Sequence, residues 1–182
     1  MKLYVALTLA LLAGPAVAQH HGHGHGRSHD QQGHGAATPY AGMQQRAIKA
    51  LSDTQIADIK AGRGMGLALA AELNGYPGPL HVLELGQQLQ LSAAQRQRFQ
   101  GQFEAMQAEA IAAGEVLLAR EQALDEAFAR GSITPEALAA LTHEVGVAQA
   151  HLRAVHLKYH LTAADLLTVE QKRRYAELRG YR

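Results

Sequence analysis

Apolar residues recur at helical spacing from Tyr40 onward, and no stretch alternates apolar and polar positions with the period of two that marks a strand. Ala, Leu, Gln, Glu and Arg, which all favour helices, dominate this part of the chain. Four of the five prolines stand where the helical pattern breaks: Pro39, Pro77, Pro79 and Pro135. The pattern predicts an all-α fold of long and short helices.

The longest predicted helix runs from Ser92 to about Arg130. Its apolar residues are spaced alternately four and three apart, as in the seam of a helical hairpin or coiled coil: Phe99, Phe103, Met106, Ala110, Ala113, Leu117, Leu124 and Phe128. Gly131 then suits the C-cap, while Thr134 and Pro135 suit the N-cap and the first position of the next helix.

The helix after this turn carries two apolar series. One continues the seam, so this helix should pack antiparallel on its predecessor as a long hairpin: Leu138, Leu141, Val145, Ala148, Leu152, Val155, Tyr159, Thr162 and Leu166. The other lies on the opposite side: Ala140, Val147, Ala150, Ala154, Leu157 and Leu161. One partner cannot cover both sides, so the second series should meet the first helical region, another subunit or a client protein. We expect a homodimer.

Shorter helices flank the predicted hairpin. A first helical region covers roughly residues 42–73 and restarts near Ser52, which opens a capping box. Gly62 and Gly66 lie four apart within it and would share one helix face, as at a close helix crossing or a flexible joint. Residues 81–90 should form a further short helical segment.

Two related pentapeptides open the longest helix and a final helix that should end near Arg179. They are Leu91-Ser92-Ala93-Ala94-Gln95 and Leu167-Thr168-Val169-Glu170-Gln171. In each, a hydroxyl residue precedes a glutamine by three positions, which is the capping box that satisfies free N–H groups at a helix start. Two such boxes, each preceded by leucine and separated by a helical hairpin, form the LTxxQ signature. From Ser92 to Arg179 the chain resembles the Spy/CpxP-type periplasmic chaperones and the related periplasmic heavy-metal-resistance proteins, with serine replacing the first threonine.

This resemblance implies a cradle-like dimer of long helical hairpins that shields unfolded envelope proteins without ATP. The client or dimer surface would then draw on Val147, Leu157 and Leu161. Several members of the superfamily have a basic concave face, whereas this chain has 17 Lys and Arg against 16 Asp and Glu. The near-neutral balance also argues against a nucleic-acid partner.

Residues 1–18 have the features of a cleavable secretory signal peptide. Lys2 precedes the apolar segment Leu3–Ala13, which is too short for a stable membrane anchor, and Ala16-Val17-Ala18 fits a cleavage site. The mature chain should therefore begin at Gln19, reside in a bacterial periplasm and contain no membrane span. It has no cysteine, so thiolate metal ligands are excluded.

Residues 19–39 form a His- and Gly-rich tract without an apolar residue able to anchor a core, so the sequence predicts disorder there. Six histidines lie in it: His20, His21, His23, His25, His29 and His34. Alternating histidine and glycine allows several imidazoles to bind one Zn, Cu or Ni ion. The alternative is a solubilising linker whose metal binding is incidental. The helical LTxxQ domain would then cover residues 40–182.

His156 and His160 are the candidate metal ligands of the helical region. Their spacing of four places both imidazoles on one helix face, as when one helix gives two ligands to one ion. In the heptad frame His156 borders the apolar stripe and His160 lies further toward solvent, so the alternative is a boundary histidine and a surface one. The nickel/cobalt-sensor branch of the resembled superfamily has a His-x-x-x-Met pair here, completed by ligands nearer the N-terminus. Because His160 replaces that methionine, the metal stays open among Zn, Cu, Ni and Co.

Three functions fit these observations. The leading one is a metal-binding envelope-stress protein with ATP-independent chaperone-like activity, involved in heavy-metal resistance. A second is a heavy-metal sensor that signals to a membrane-bound regulator, which would need an ordered, tight site. A third is a structural helical dimer with incidental metal binding. No nucleophile–base motif or cofactor loop indicates an enzyme.

Overall fold

A hairpin of two long helices forms the body of the protein, and shorter helices flank it. The computed structural model describes residues 39–181, in which every regular element is helical. A 3-10 turn is followed by six α-helices: Met43–Gln45, then α1 Asp53–Lys60, α2 Leu69–Glu72, α3 Pro79–Glu84, α4 Ala93–Ala129, α5 Pro135–Asp165 and α6 Val169–Arg179. The all-α prediction is confirmed. Within this range no helix has the length and apolar composition needed to cross a membrane.

Two predictions concern the start of the chain and lie outside the described residues. They are the signal peptide over residues 1–18 and the metal-binding tract over residues 19–39, of which only Pro39 is described. Both stay predictions.

The hairpin of α4 and α5 has the predicted ends. Thr134 Oγ1 accepts a hydrogen bond from the N–H of Ala137 and caps α5, and Gly131 adopts the left-handed φ of 68° that a helix C-terminus favours. The helices pack through a continuous apolar seam, which is the main core of the protein: Met106, Ala110, Ala113, Leu117, Leu118, Val145, Ala148, Leu152, Val155 and Tyr159. Glu109 of α4 links them again by accepting from the Tyr159 hydroxyl at 2.8 Å and from Lys158 at 2.6 Å.

The predicted seam does not stay buried to the turn. Phe128 and Leu138, on either side of the turn, are 56% and 39% exposed, contrary to their place in the apolar series. Thr162, at the other end of α5, is exposed as well. Near the turn only the two long helices meet, so a residue there lacks the third layer that covers the middle of the hairpin. Glu121 is buried beside this seam, where Gln149 Nε2 donates to its carboxylate at 3.4 Å.

The first helical region is not continuous as predicted. Helix α1 starts at the expected capping box of Ser52, but it ends at Lys60, and residues 61–68 form a loop. Gly62 and Gly66 have φ angles of 65° and 80°, which no right-handed helix contains, so they cannot share a helix face. The close crossing does exist at Gly62, where a Cβ would lie 2.8 Å from the carbonyl oxygen of Gln107 in α4.

The helical segment predicted over residues 81–90 is also shorter than expected. Helix α3 begins at Pro79 and ends at Glu84, and turns follow as far as residue 90. Gln90 there has a φ of 51°, which interrupts any helix. These turns supply Leu89 to a second apolar cluster, together with residues of α3, α4, α5, the link after α5, and α6: Val82, Phe99, Ala163, Leu167 and Tyr175.

Both predicted capping boxes are formed. Ser92 Oγ accepts from the N–H of Gln95 at 3.1 Å, while Gln95 Oε1 accepts from the N–H of Ser92 at 3.1 Å. Thr168 and Gln171 make the same reciprocal pair at 3.1 and 3.0 Å. Leu91 and Leu167, which precede the two boxes, both pack in the second apolar cluster.

The two boxes also contact each other, which the sequence did not predict. Gln95 Nε2 donates to the carbonyl oxygen of Leu166 and to Gln171 Oε1, both at 2.9 Å. Gln171 Nε2 donates to the carbonyl oxygen of Leu89 and to Gln95 Oε1, both at 3.2 Å. The paired amides therefore join the starts of α4 and α6 to the end of α5.

Helix α1 crosses α4 at a glycine, and this crossing generates a stability prediction. A Cβ at Gly114 would lie 2.6 Å from Cγ2 of Ile59, so Gly114→Ala should destabilise the protein by about 1–3 kcal/mol as α1 is pushed away. Gly101 lies in the same helix with open space around it, so Gly101→Ala should stabilise by about 0.5–1 kcal/mol. Urea unfolding of both variants measures the difference, and equal effects would contradict the proposed crossing.

Candidate functional site

Both candidate ligands, His156 and His160, line one cavity of about 300 Å³. The cavity lies between α5, α2 and the start of α3, and one residue of α4 reaches it. The loop before α2 and the C-terminal residues complete its wall. Its lining combines imidazole, carboxylate, guanidinium, phenol and thioether groups with glycine and apolar residues: Gly64, Met65, Gly66, Ala68, Leu69, Glu72, Gly78, Pro79, Leu80, His81, Met106, His156, His160, Arg179 and Tyr181.

His156 is only 2% exposed, and its Nε2 is enclosed with no hydrogen-bond partner among residues 39–181. A Cβ at Gly64 would lie 3.8 Å from its Nδ1, so the loop before α2 packs beside the ring. Burial, and then the neighbouring His160 imidazole, lower the pKa of His156 below its ordinary value of 6.5. The ring is therefore neutral at pH 7, which is the protonation state that binds metals.

His160 is 8% exposed, which contradicts the prediction that it lies toward solvent. Its Nδ1–H donates to the carbonyl oxygen of Tyr76 at 2.7 Å, and Gly78 packs so closely that a Cβ there would lie 2.8 Å from Nε2. The turn before α3 thus covers a helix face that the heptad pattern leaves open. A neutral imidazole that donates from Nδ1 keeps its lone pair on Nε2.

Glu72 is the functional residue that the sequence analysis missed. Its buried carboxylate accepts from the Tyr175 hydroxyl, from the Tyr181 hydroxyl at 3.0 Å and from the N–H of Gly78 at 3.1 Å. The carboxylate also lies 3.6 Å from His160 Nδ1. A single acidic residue within the apolar stretch Leu67–Leu73 is the signal that marks it.

The network around Glu72 joins α6 to the cavity. Burial, and then the hydrogen bond to Glu72, raise the pKa of Tyr175 far above its usual range, so this phenol stays a donor. Arg179 Nε lies 3.8 Å from the same carboxylate and places a positive charge beside it. Arg179 therefore offsets the charge of a carboxylate that already accepts three hydrogen bonds. A third imidazole of the cavity, His81, lies 3.2 Å from Glu84 through its Nδ1.

The imidazole and carboxylate groups of the cavity supply only part of a metal coordination sphere. Within residues 39–181 no set of three or more His, Asp or Glu side chains is arranged to hold an ion. Two imidazoles cannot complete a zinc site, which takes four ligands, or three and a water. The enclosed Nε2 of His156 still favours a ligand, because an unsatisfied buried polar group costs about 1–3 kcal/mol.

The predicted client residues occupy an apolar side of α5. Val147 and Leu161 are 55% and 54% exposed, and Leu157 is half-buried. We call this surface the open face; it comprises Ala140, Val147, Ala154 and Leu161 of α5, with Val116 of α4 beside Val147. Within the described chain no helix covers these side chains. The six tract histidines, His20 to His34, lie outside the described residues.

Comparisons with models of known protein families, with curated proteins and with solved structures find no match to this chain. A functional assignment therefore depends on the cavity and the open face.

The lowered pKa of His156 makes stability depend on pH in a defined direction. The unfolded chain binds a proton at this residue near pH 6.5, whereas the folded chain does so only at lower pH. Acidification through that window therefore favours unfolding, and the contribution is fully present above pH 6.5. His156→Gln should reduce the loss of unfolding free energy between about pH 7 and pH 5. Urea unfolding across this range, with NMR titration of the His156 ring, checks both points. An unshifted ring titration would contradict them.

Proposed function

We propose that this chain is an exported metal-binding protein of the envelope whose folded domain binds a transition-metal ion through His156 and His160. The observation that carries the proposal is the enclosed, unpartnered Nε2 of His156, a residue that lines the same cavity as His160. Zn, Cu, Ni and Co all accept imidazole, and the tract from His20 to His34 serves as a looser reservoir. The LTxxQ resemblance places such a protein in periplasmic heavy-metal resistance.

Two features of the cavity support this function. The imidazoles are preset for ligation, because His156 is held neutral by burial and His160 is oriented by the carbonyl of Tyr76. The ion would also break no hydrogen bond of the fold, because it would bind His156 Nε2, which has no partner, and His160 Nε2, while His160 Nδ1 keeps its bond to Tyr76. A purely structural pair of histidines would have both rings satisfied within the core.

The test separates the cavity from the tract. In one variant of the full mature chain the six tract histidines are replaced by serine, and this chain should keep a single tightly bound ion. Adding His156→Ala or His160→Ala should lower its affinity at least 10- to 100-fold. His143→Ala is the matched control, because His143 is exposed on the same helix and away from this cavity. Isothermal titration with Zn, Cu, Ni and Co measures each affinity, and circular dichroism confirms folding.

Loss of all tight binding with the tract histidines would contradict the proposal. His156 and His160 would then be structural, and the protein would be a helical chaperone-like protein with a metal-scavenging tail. A tight site that survives would instead favour a metal carrier, or a sensor that reports occupancy to a membrane-bound regulator.

The open face supports a second function, ATP-independent protection of unfolded proteins by a helical dimer. Exposed apolar residues that share one helix face are typical of protein–protein contact surfaces, and Val147 and Leu161 are each more than half exposed. The same face can pair with a second copy or hold an apolar client segment. The LTxxQ resemblance implies a cradle built from such hairpins, in which an apolar face would contact the client.

A double substitution on the open face tests this second function. Val147→Asp with Leu161→Asp should weaken dimerisation, or protection of an aggregating client, at least about tenfold, because each charge disrupts apolar contact. Val169→Asp is the control, since Val169 is 85% exposed on α6. Sedimentation equilibrium and a light-scattering aggregation assay give the two readouts. If neither changes, the open face has no part in association or protection.

A further inference from the structure

Two of the chain's four methionines line the cavity that contains His156 and His160. Met106 projects from α4 and is buried, while Met65 stands in the loop before α2 and is part exposed. Of the other two, Met43 lies in the 3-10 turn away from the cavity, and Met1 belongs to the predicted signal peptide. Two thioethers and three of the eleven imidazoles of the chain therefore line one cavity.

Met65 occupies its position at a backbone cost. Its φ of 44° lies in the left-handed region, which costs a non-glycine residue about 1–2 kcal/mol, although glycines stand on both sides of it. The preceding Gly64 packs beside the His156 imidazole, and Met65 lines the same cavity as that imidazole. Strained residues cluster at ligand sites, where the side chain is needed in one place.

We propose that this cavity is a soft-metal site selective for Cu(I), in which the thioethers of Met65 and Met106 join the imidazoles of His156 and His160. The inference rests on the proposed metal-binding function and specifies its ion. Thioether sulfur is a soft ligand that selects Cu(I), whereas Zn favours thiolate, imidazole and carboxylate. Thiolate is excluded because the chain lacks cysteine, and the Glu72 carboxylate is already engaged by its hydrogen bonds.

Charge favours the same ion. Glu72 and Arg179 lie 3.8 Å apart beside the cavity and offset each other's charge. A divalent ion would enter this site with no excess negative charge to balance it, and its repulsion from the Arg179 guanidinium would be twice that of a monovalent ion. Binding is ligand exchange alone: the ion arrives and remains as Cu(I), each donor contributes a lone pair, and His160 keeps its Nδ1 proton.

The experiment compares Cu(I) and Zn(II) in the full mature chain. Cu(I) affinity is measured without oxygen against a chromophoric Cu(I) chelator for the parent, Met65→Leu, Met106→Leu and the double variant. Leucine keeps the volume and apolar character of methionine, so folding should be preserved. Each single change should lower Cu(I) affinity about tenfold or more, and the double change further, while Zn(II) affinity stays within about twofold. Met43→Leu is the matched control, and the parent and every variant carry serine in place of the six tract histidines, so that the tract contributes to neither affinity.

The outcomes distinguish this inference from the proposed function. If His156→Ala lowers the affinity for both ions but the double methionine variant binds Cu(I) like the parent, the cavity binds metal without thioether ligands and the Cu(I) inference fails. If His156→Ala changes neither affinity, the proposed function itself fails. X-ray absorption of the Cu(I)-loaded parent should show sulfur scattering that the double methionine variant lacks, and its absence in the parent would also overturn the inference.

Discussion

The reciprocal amide pair between Gln95 and Gln171 is the contact on which the arrangement of the helices depends. Each glutamine caps its own helix and also binds a carbonyl that precedes the other motif, so three chain segments meet at one point. The pair closes the end of the hairpin opposite the turn at Gly131. With that end closed, α6 lies where Tyr175 can reach Glu72 of α2. The position of α6 also sets one wall of the cavity, because Arg179 at its end and Tyr181 just after it line the cavity.

Local signals in the sequence were sufficient for the ends of the long helices. The capping boxes, the proline at the start of α5 and the glycine after α4 each act within one turn of the chain, so their effect can be read without knowing the fold. The loop at Gly62–Gly66 was harder to predict, because both glycines are compatible with a helix in sequence. Their left-handed φ angles, and the contact of Gly62 with α4, appear only in the folded structure. The exposed end of the seam at Phe128 likewise depends on which helices cover it, and a heptad pattern does not contain that information.

The difference between local signals and long-range contacts also explains which features of the cavity the sequence could predict. The spacing of His156 and His160 predicts two rings on one helix face, because spacing is a local property of a helix, and both residues line one cavity. The burial of His160 depends on Tyr76 and Gly78, which lie more than eighty residues earlier in the chain, so no pattern within α5 could reveal it. The role of Glu72 as a shared hydrogen-bond acceptor appears only in the folded structure, where the hydroxyls of Tyr175 and Tyr181 donate to it. Contacts between distant segments decide which atoms of a predicted residue are free to bind a ligand.

The Glu72 carboxylate also has a thermodynamic consequence. It lies beside His160, and it holds Tyr175 and Tyr181 at the far end of the chain, so the state of the cavity and the anchoring of α6 share one network of hydrogen bonds. Coupling free energies are reciprocal. If a ligand that binds His160 changes the equilibrium for docking of α6 by some factor, then docking of α6 changes the affinity for that ligand by the same factor. Under this coupling, a partner that binds the end of α6 would change the affinity of the cavity for its ligand, and ligand binding would change the affinity for that partner.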